Sequence, residues 1–249
     1  MQSKFCKIPN GNIHYLEAGS GKTVILLPGI WITSRSLEEV GVVLAMHFHI
    51  IIPDLFKGRS TFSVSPNKLD DYSKALFEFI KKLNISNFSL VGWSIGGLIV
   101  SSYAQTYSSN LNKLIFINSS TMHQEFMEKP EVIFRGYIRL IGNNLLTLKG
   151  IRINSLWFFD ALRFFLRHPH QFLKEIQIGM YDRSLIKATK MPVVSKLLIA
   201  EKDEFVDSNT VKGANQNINN LEVKIVKGRH DWLYYDESLL MEELVHFLS

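Results

Sequence analysis

Phe88-Ser89-Leu90-Val91-Gly92-Trp93-Ser94-Ile95-Gly96-Gly97 is the stretch on which the fold turns. Residues 88–91 form a short apolar run, the mark of a strand buried on both faces. Residues 95–107 carry a helical pattern. Between them lies a G-x-S-x-G sequence, in the strand–turn–helix setting that a nucleophile turn requires. Small residues two before and two after Ser94 let the chain double back tightly enough to lift the hydroxyl above a sheet. Gly97 adds another small residue where helix and strand must approach.

The same kind of run recurs at 24–27, 48–52, 114–117, 194–199 and 223–226. Residues 4–8 and 13–18 flank the turn signal Pro9-Asn10-Gly11 and read as a hairpin. Helical patterns fill 36–45, 69–83, 209–217 and 237–248. Strands alternating with helices predict an α/β domain, a mostly parallel central sheet covered by helices on both faces. Residues 122–190 break that rhythm. They contain helix-like pieces at 131–148, 153–167 and 170–179 and no convincing strand. The expectation is a core of 1–121 and 191–249 with a helical cap insertion at 122–190. Residues 156–166 are apolar nearly all round, apart from a stripe of Asp160, Arg163 and Arg167. Such a helix is expected to bury most of its surface, and Trp157, Phe158, Phe159, Phe164 and Phe165 would roof an apolar acyl or aryl site.

Composition narrows the function. With 46% hydrophobic and 20% charged residues the chain is globular. A net charge of +5 is too mild for a dedicated nucleic-acid binder. The single cysteine, Cys6, excludes an internal disulfide and a Cys-rich zinc module. No stretch reads as a secretory signal or a membrane span, so a cytoplasmic location is the expectation. The pairs His47/His49 and His168/His170 have no third ligand at metal spacing, so no metal is expected. Gly19-Ser20-Gly21-Lys22-Thr23 lacks the first glycine of a phosphate loop and runs into a strand. Between 122 and 190 stand eleven basic against six acidic residues, an excess equal to the net charge of the whole chain. That basic cap would attract an acidic partner or an anionic substrate; a solvated helix face explains it equally well.

A serine hydroxyl needs a base, and the base an orienting acid. His230 lies in a loop just after the last predicted strand. Asp203 follows the strand at 194–199, with Glu204 and Asp207 as competitors. Asp231, adjacent to His230, reads as a surface or loop-fixing residue. The order Ser94, Asp203, His230 is the one found in α/β-hydrolases.

Over essentially its whole length the chain resembles the α/β-hydrolase-fold serine hydrolases. The resemblance runs from the hairpin through Pro28-Gly29-Ile30-Trp31 and the Ser94 turn to the His230 loop. It implies the α/β-hydrolase fold, a Ser94–Asp203–His230 triad, an oxyanion hole from the N–H groups of Ile95 and Ile30, substrate contacts at Trp31 and Trp93, and no cofactor. Val206, three residues after Asp203, matches the family pattern for the acid. At the alternative acid position the chain reads Asn118-Ser119-Ser120, with no carboxylate. Two departures stand out: Pro28-Gly29 replaces the usual His-Gly, and Asp54-Leu55-Phe56-Lys57-Gly58-Arg59-Ser60 is a shortened form of the segment after the fourth strand. The implied activity is hydrolysis of a carboxylic ester. The run from Gly92 to Gly97 with a basic cap is also similar to carrier-protein methyl esterases, which would place an acidic carrier at Arg135, Arg139, Arg163 and Arg167. Carbon–carbon bond hydrolases, haloperoxidases and non-catalytic binding members share the fold.

Overall fold

Thr23-Val24-Ile25-Leu26-Leu27 (β3) lies mid-sheet in a computed structural model that describes residues 1–119, 130–181, 190–205 and 207–249. Its side chains alternate as the pleat dictates. Ile25 and Leu27 enter one hydrophobic core, and Val24 and Leu26 enter another on the opposite face. A strand buried on both faces is what its unbroken apolar run requires.

Around it the described residues form a nine-stranded sheet. The first two strands, β1 (Gln2–Ile8) and β2 (Gly11–Ala18), pair antiparallel as the hairpin. Strand β2 then pairs antiparallel with β4 (His49–Pro53), which runs parallel to β3. A two-residue strand with no apolar run to announce it, β5 (Thr61–Phe62), also pairs with β2. Beyond β3 come β6 (Phe88–Trp93), β7 (Leu111–Ile117), β8 (Lys190–Ala200) and β9 (Asn219–Val226), all parallel. Helices α1 (Glu38–Leu44), α2 (Leu69–Lys82) and α3 (Ile95–Thr106) follow β3, β5 and β6. Residues of α2 and α3 pack into the first core and those of α1 into the second.

Between β7 and β8 lie α4 (Pro130–Asn144), α5 (Leu148–Arg167) and α6 (Pro169–Tyr181). The single helix expected over 131–148 is interrupted. Thr147 takes an extended conformation, and its hydroxyl accepts the Gly150 N–H at 3.0 Å, so it caps a new helix. After α7 (Ser208–Asn215) and β9, the chain ends in α8 (Glu237–Leu240), a π-helical turn over Met241–Val245 and α9 (His246–Leu248).

Helix α5 departs from the sequence expectation at Asp160, which turns inward while Arg163 and Arg167 stay exposed; Trp157, Phe158 and Phe159 border the Ser94 cavity as expected. Its buried side carries Asp160 together with Ile153 and Phe164, while Phe158, Phe159, Phe165 and Leu166 face outward. The reason is hydrogen bonding. Asp160 Oδ2 accepts the Thr33 N–H at 3.1 Å, the Thr33 hydroxyl at 2.7 Å and the Ser36 hydroxyl at 2.7 Å. Three donors on one buried carboxylate fix which face the helix shows to the body.

Asp160→Ala leaves those donors without their acceptor, at about 2–4 kcal/mol. The expected result in calorimetry is a fall in Tm of roughly 5–15 °C. Asp160→Asn, which keeps one acceptor oxygen, loses less.

Candidate active site

Ser94 stands between β6 and α3 with φ 56° and ψ −123°, a conformation L residues rarely adopt. The turn is held by the Ser94 N–H to Ile117 O (2.9 Å) and by the Gly97 N–H to Ser94 O (2.9 Å). It closes only because its neighbours lack side chains. A Cβ at residue 92 would lie 2.5 Å from the backbone of Gly96 and Gly97, and one at residue 96 would lie 2.5 Å from Leu27 O.

Asp203 follows β8 and His230 follows β9, so the parallel strands deliver both to the same edge as Ser94. His230 Nδ1 and Asp203 Oδ2 are 2.8 Å apart, and the Asp203 side chain is fully buried. Burial, the largest influence on the imidazole, favours its neutral form. The Asp203 carboxylate opposes it by charge and hydrogen bond, Glu204 and Asp231 add to that, and the net result lies above the ordinary 6.5. The other carboxylates sort by environment. Asp207 caps α7 by accepting the Thr210 N–H at 2.7 Å. Glu204 is buried and accepts the His230 N–H at 3.0 Å and an Asn143 amide N–H at 3.2 Å. Asp231 is fully buried rather than on the surface, and accepts from Asn144 at 2.8 Å. Burial raises the pKa of both Glu204 and Asp231. Val206 lies outside the described residues.

Trp93 and Trp31 line the same cavity as Ser94 and His230. Trp93 is only 1% exposed, and its indole N–H goes to His230 O at 3.0 Å, so it mainly fixes the His230 loop. Asn118, which the sequence reading passed over for want of a carboxylate, does the same from β7. Its Oδ1 accepts the Ala200 N–H (2.8 Å) and its Nδ2 donates to His230 O (2.7 Å). One amide thus ties the ends of β7, β8 and the histidine loop.

The loop 29–36 is held from two sides. Lys57 Nζ donates to Gly29 O at 2.9 Å, and Asp54 Oδ1 accepts the Ser34 N–H at 2.6 Å while its other oxygen meets His14 Nδ1. From α5 and α6, Glu175 Oε2 accepts the Trp31 N–H at 3.2 Å and Asp160 holds Thr33. Trp31 has φ 56°, and its ring stacks on Phe172 at 4.1 Å. The residues after Pro28 therefore need no histidine to fix them. With the Trp31 N–H engaged by Glu175, Ile30 is the neighbouring donor that borders the cavity. Opposite it, Ile95 is the first residue of α3, whose N–H has no partner within the helix. No sequence signal pointed to Glu175, whose partner lies 144 residues away.

The cavity holds about 760 Å³. Tyr137, Leu140, Trp157, Phe158, Ile176 and Phe205 contribute to its walls, and no Lys, Arg, Asp or Glu is among the described residues that line it. Among the described residues no group of three His, Cys, Asp or Glu is placed to hold a metal ion, and no helix is long and apolar enough to cross a membrane.

The family model described as alpha/beta hydrolase fold matches residues 22–237. An uncharacterised protein of Mycobacterium tuberculosis is 27% identical over 124 residues; that match takes in 47% of this chain, which spans about a third (34%) of the relative's length. A 2-hydroxy-6-oxo-6-(2'-aminophenyl)hexa-2,4-dienoic acid hydrolase of Metapseudomonas resinovorans is 26% identical over 213 residues, covering 79% of this chain and 73% of that one. A pimeloyl-[acyl-carrier protein] methyl ester esterase of Pseudoalteromonas atlantica is 30% identical over 107 residues, 43% of this chain and 41% of that one. Among solved structures, a putative lipase from Acinetobacter baumannii superposes with a TM-score of 0.78 at 20% identity, covering 99% and 90% of the two chains.

The His230 imidazole is expected to titrate above 6.5 when followed by NMR, and Asp203→Asn to bring that value down, since burial then meets less opposition. The linked stability has a definite sign: it is fully present below the unfolded-state pKa and is lost as pH rises through the higher folded-state value.

Proposed function

The chain belongs to the α/β-hydrolase family, and on that premise we propose that it hydrolyses an uncharged carboxylic ester with apolar groups through an acyl-enzyme on Ser94. The observation that carries the reading is a strained, accessible serine sharing a cavity free of charged side chains with a histidine held by a buried aspartate. Ser94 Oγ attacks the ester carbonyl while His230 takes its proton. Asp203 keeps the imidazole in the tautomer with Nδ1 protonated and stabilises the imidazolium. The Ile95 and Ile30 N–H groups receive the charge that develops on the carbonyl oxygen. The C–O bond to the alcohol breaks as His230 returns the proton to the leaving oxygen. Water, giving its proton to His230, then releases the acid and restores Ser94.

The match to the dienoic acid hydrolase, longer than the esterase match, favours a second reading in which the same side chains cleave a carbon–carbon bond. The lining argues for the ester. A carboxylate substrate buried here would lack a cationic partner among the described residues, and an unpaired buried charge is costly. Docking of a carrier protein rests on the basic residues of α4 and α5 and on a match covering 41% of the pimeloyl esterase. Charge sets the sign of a partner rather than its identity.

Ser94→Ala is expected to lower turnover of p-nitrophenyl butyrate and octanoate by about 10⁴-fold or more and to abolish labelling by a fluorophosphonate. Both kcat/KM values rise with pH through the His230 titration, because only the neutral imidazole accepts the serine proton. A folded protein that cleaves neither ester and takes no label refutes the reading. Turnover of a dienoate ketone far above that of any neutral ester moves it to carbon–carbon cleavage.

A further inference from the structure

We propose that the outer face of α4 and α5 is a docking surface for an anionic lipid bilayer. Thirteen of the eighteen large apolar residues exposed among the described residues fall between 134 and 173. On α4 and the residue that follows it they are Phe134, Ile138, Ile141 and Leu145, spaced four, three and four apart, so they form one stripe. On α5 the stripe continues through Leu148, Ile151, Phe158, Leu162 and Phe165. Leu148 is 88% exposed, Leu166 69%, Phe134 67% and Phe158 62%. A solvated helix places such residues inward; α5 places Asp160 inward beside Ile153 and Phe164 and still leaves Leu148, Phe158, Phe165 and Leu166 outward.

The charges on these helices are one-sided. From 130 to 181 there are seven Lys and Arg and three acidic residues. Two of the acidic ones, Asp160 and Glu175, are buried against the body, which leaves Glu131 as the exposed one. Arg135, Arg139, Arg163 and Arg167 are exposed and form no ion pair with a described residue. Apolar side chains with unpaired arginines on the same helices are what an anionic lipid surface selects, the first entering the acyl boundary and the second the headgroups. A second copy fits poorly, because pairing this face with itself sets arginine against arginine. An acidic carrier protein would use the arginines but leave the apolar stripe without a role.

The cavity adds direction. Phe134, Ile141, Leu145, Ile151, Phe158 and Phe159 belong both to its lining and to the exposed apolar set. Its mouth therefore opens through the stripe. A lipid ester leaving a bilayer would reach Ser94 along apolar walls without crossing water. That delivery rests on the ester reading; the docking does not.

Vesicle co-flotation of the full chain carrying Ser94→Ala tests the docking apart from the chemistry. The expected result is binding to vesicles of equal phosphatidylglycerol and phosphatidylcholine, weakened by 0.5 M salt, and far weaker binding to phosphatidylcholine alone. Arg163→Gln/Arg167→Gln should weaken it roughly thirtyfold, about fivefold per arginine. Leu148→Ser/Leu166→Ser should weaken it at least tenfold, and both pairs, placed in the chain with Ser94 intact, should leave turnover of a soluble butyrate ester unchanged. Three results overturn the proposal: no binding to the anionic vesicles; a dimer in sedimentation velocity that the leucine pair dissolves; or capture of an acidic acyl carrier protein that the arginine pair abolishes and the leucine pair spares. Vesicle binding by a wild type that cleaves no ester would leave the docking standing and remove the ester reading alone.

Discussion

A backbone with no room for a side chain governs this molecule. At residue 92 an added carbon would strike the turn that follows, and at residue 96 it would strike the carbonyl of the neighbouring central strand. Strand, turn and helix are pressed together there, and Ser94 is forced into a left-handed conformation at the apex. The cost of such a residue, about 1–3 kcal/mol, has to be met by the packing around it. It is met by β3, β6 and β7, whose buried apolar side chains leave the turn nowhere to relax.

Around that fixed point the parallel strands act as rails. Each ends at the same edge, so a residue shortly after β6, β8 or β9 arrives near the others whatever its distance in sequence. The rails do not align side chains; buried polar groups do that. Asn118 binds the ends of β7 and β8 to the histidine loop, Glu204 holds the His230 backbone, and Asn143 and Asn144 hold Glu204 and Asp231 in turn. Each of these side chains has at least one buried partner, although Asp231 Oδ1 has none among the described residues.

What was legible in the sequence divides along the same line. The strand runs and the Ser94 turn could be read because they depend on neighbours in the chain: apolar runs, glycines at fixed offsets, a proline–asparagine–glycine turn. The buried carboxylates could not. Asp160 looked like part of a solvated stripe beside Arg163 and Arg167, yet it faces the body because Thr33 and Ser36, more than 120 residues earlier, offer it three donors. Of that stripe, Arg163 and Arg167 do stay exposed, and Asp160 is the member that turns inward. Glu175 left no local trace for the same reason. Asp231 reads as a loop charge, and nothing nearby in sequence announces that Asn144 will bury it. Helix boundaries failed where a single side chain decided them, as Thr147 did by capping α5.

The bond from Glu175 to the Trp31 amide joins two parts of the protein far apart in sequence, the helices between β7 and β8 and the loop beside the serine. Asp160 on Thr33 and Ser36, and Phe172 O on the Trp31 indole N–H, hold the same loop from the same helices. Any outward swing of α5 and α6 as a unit must break these bonds, and with them the constraint on Trp31, whose positive φ persists only while something enforces it. The shape of the loop and the closure of the helices are thus one variable rather than two. Whatever fixes the position of these helices therefore fixes the loop beside Ser94 as well.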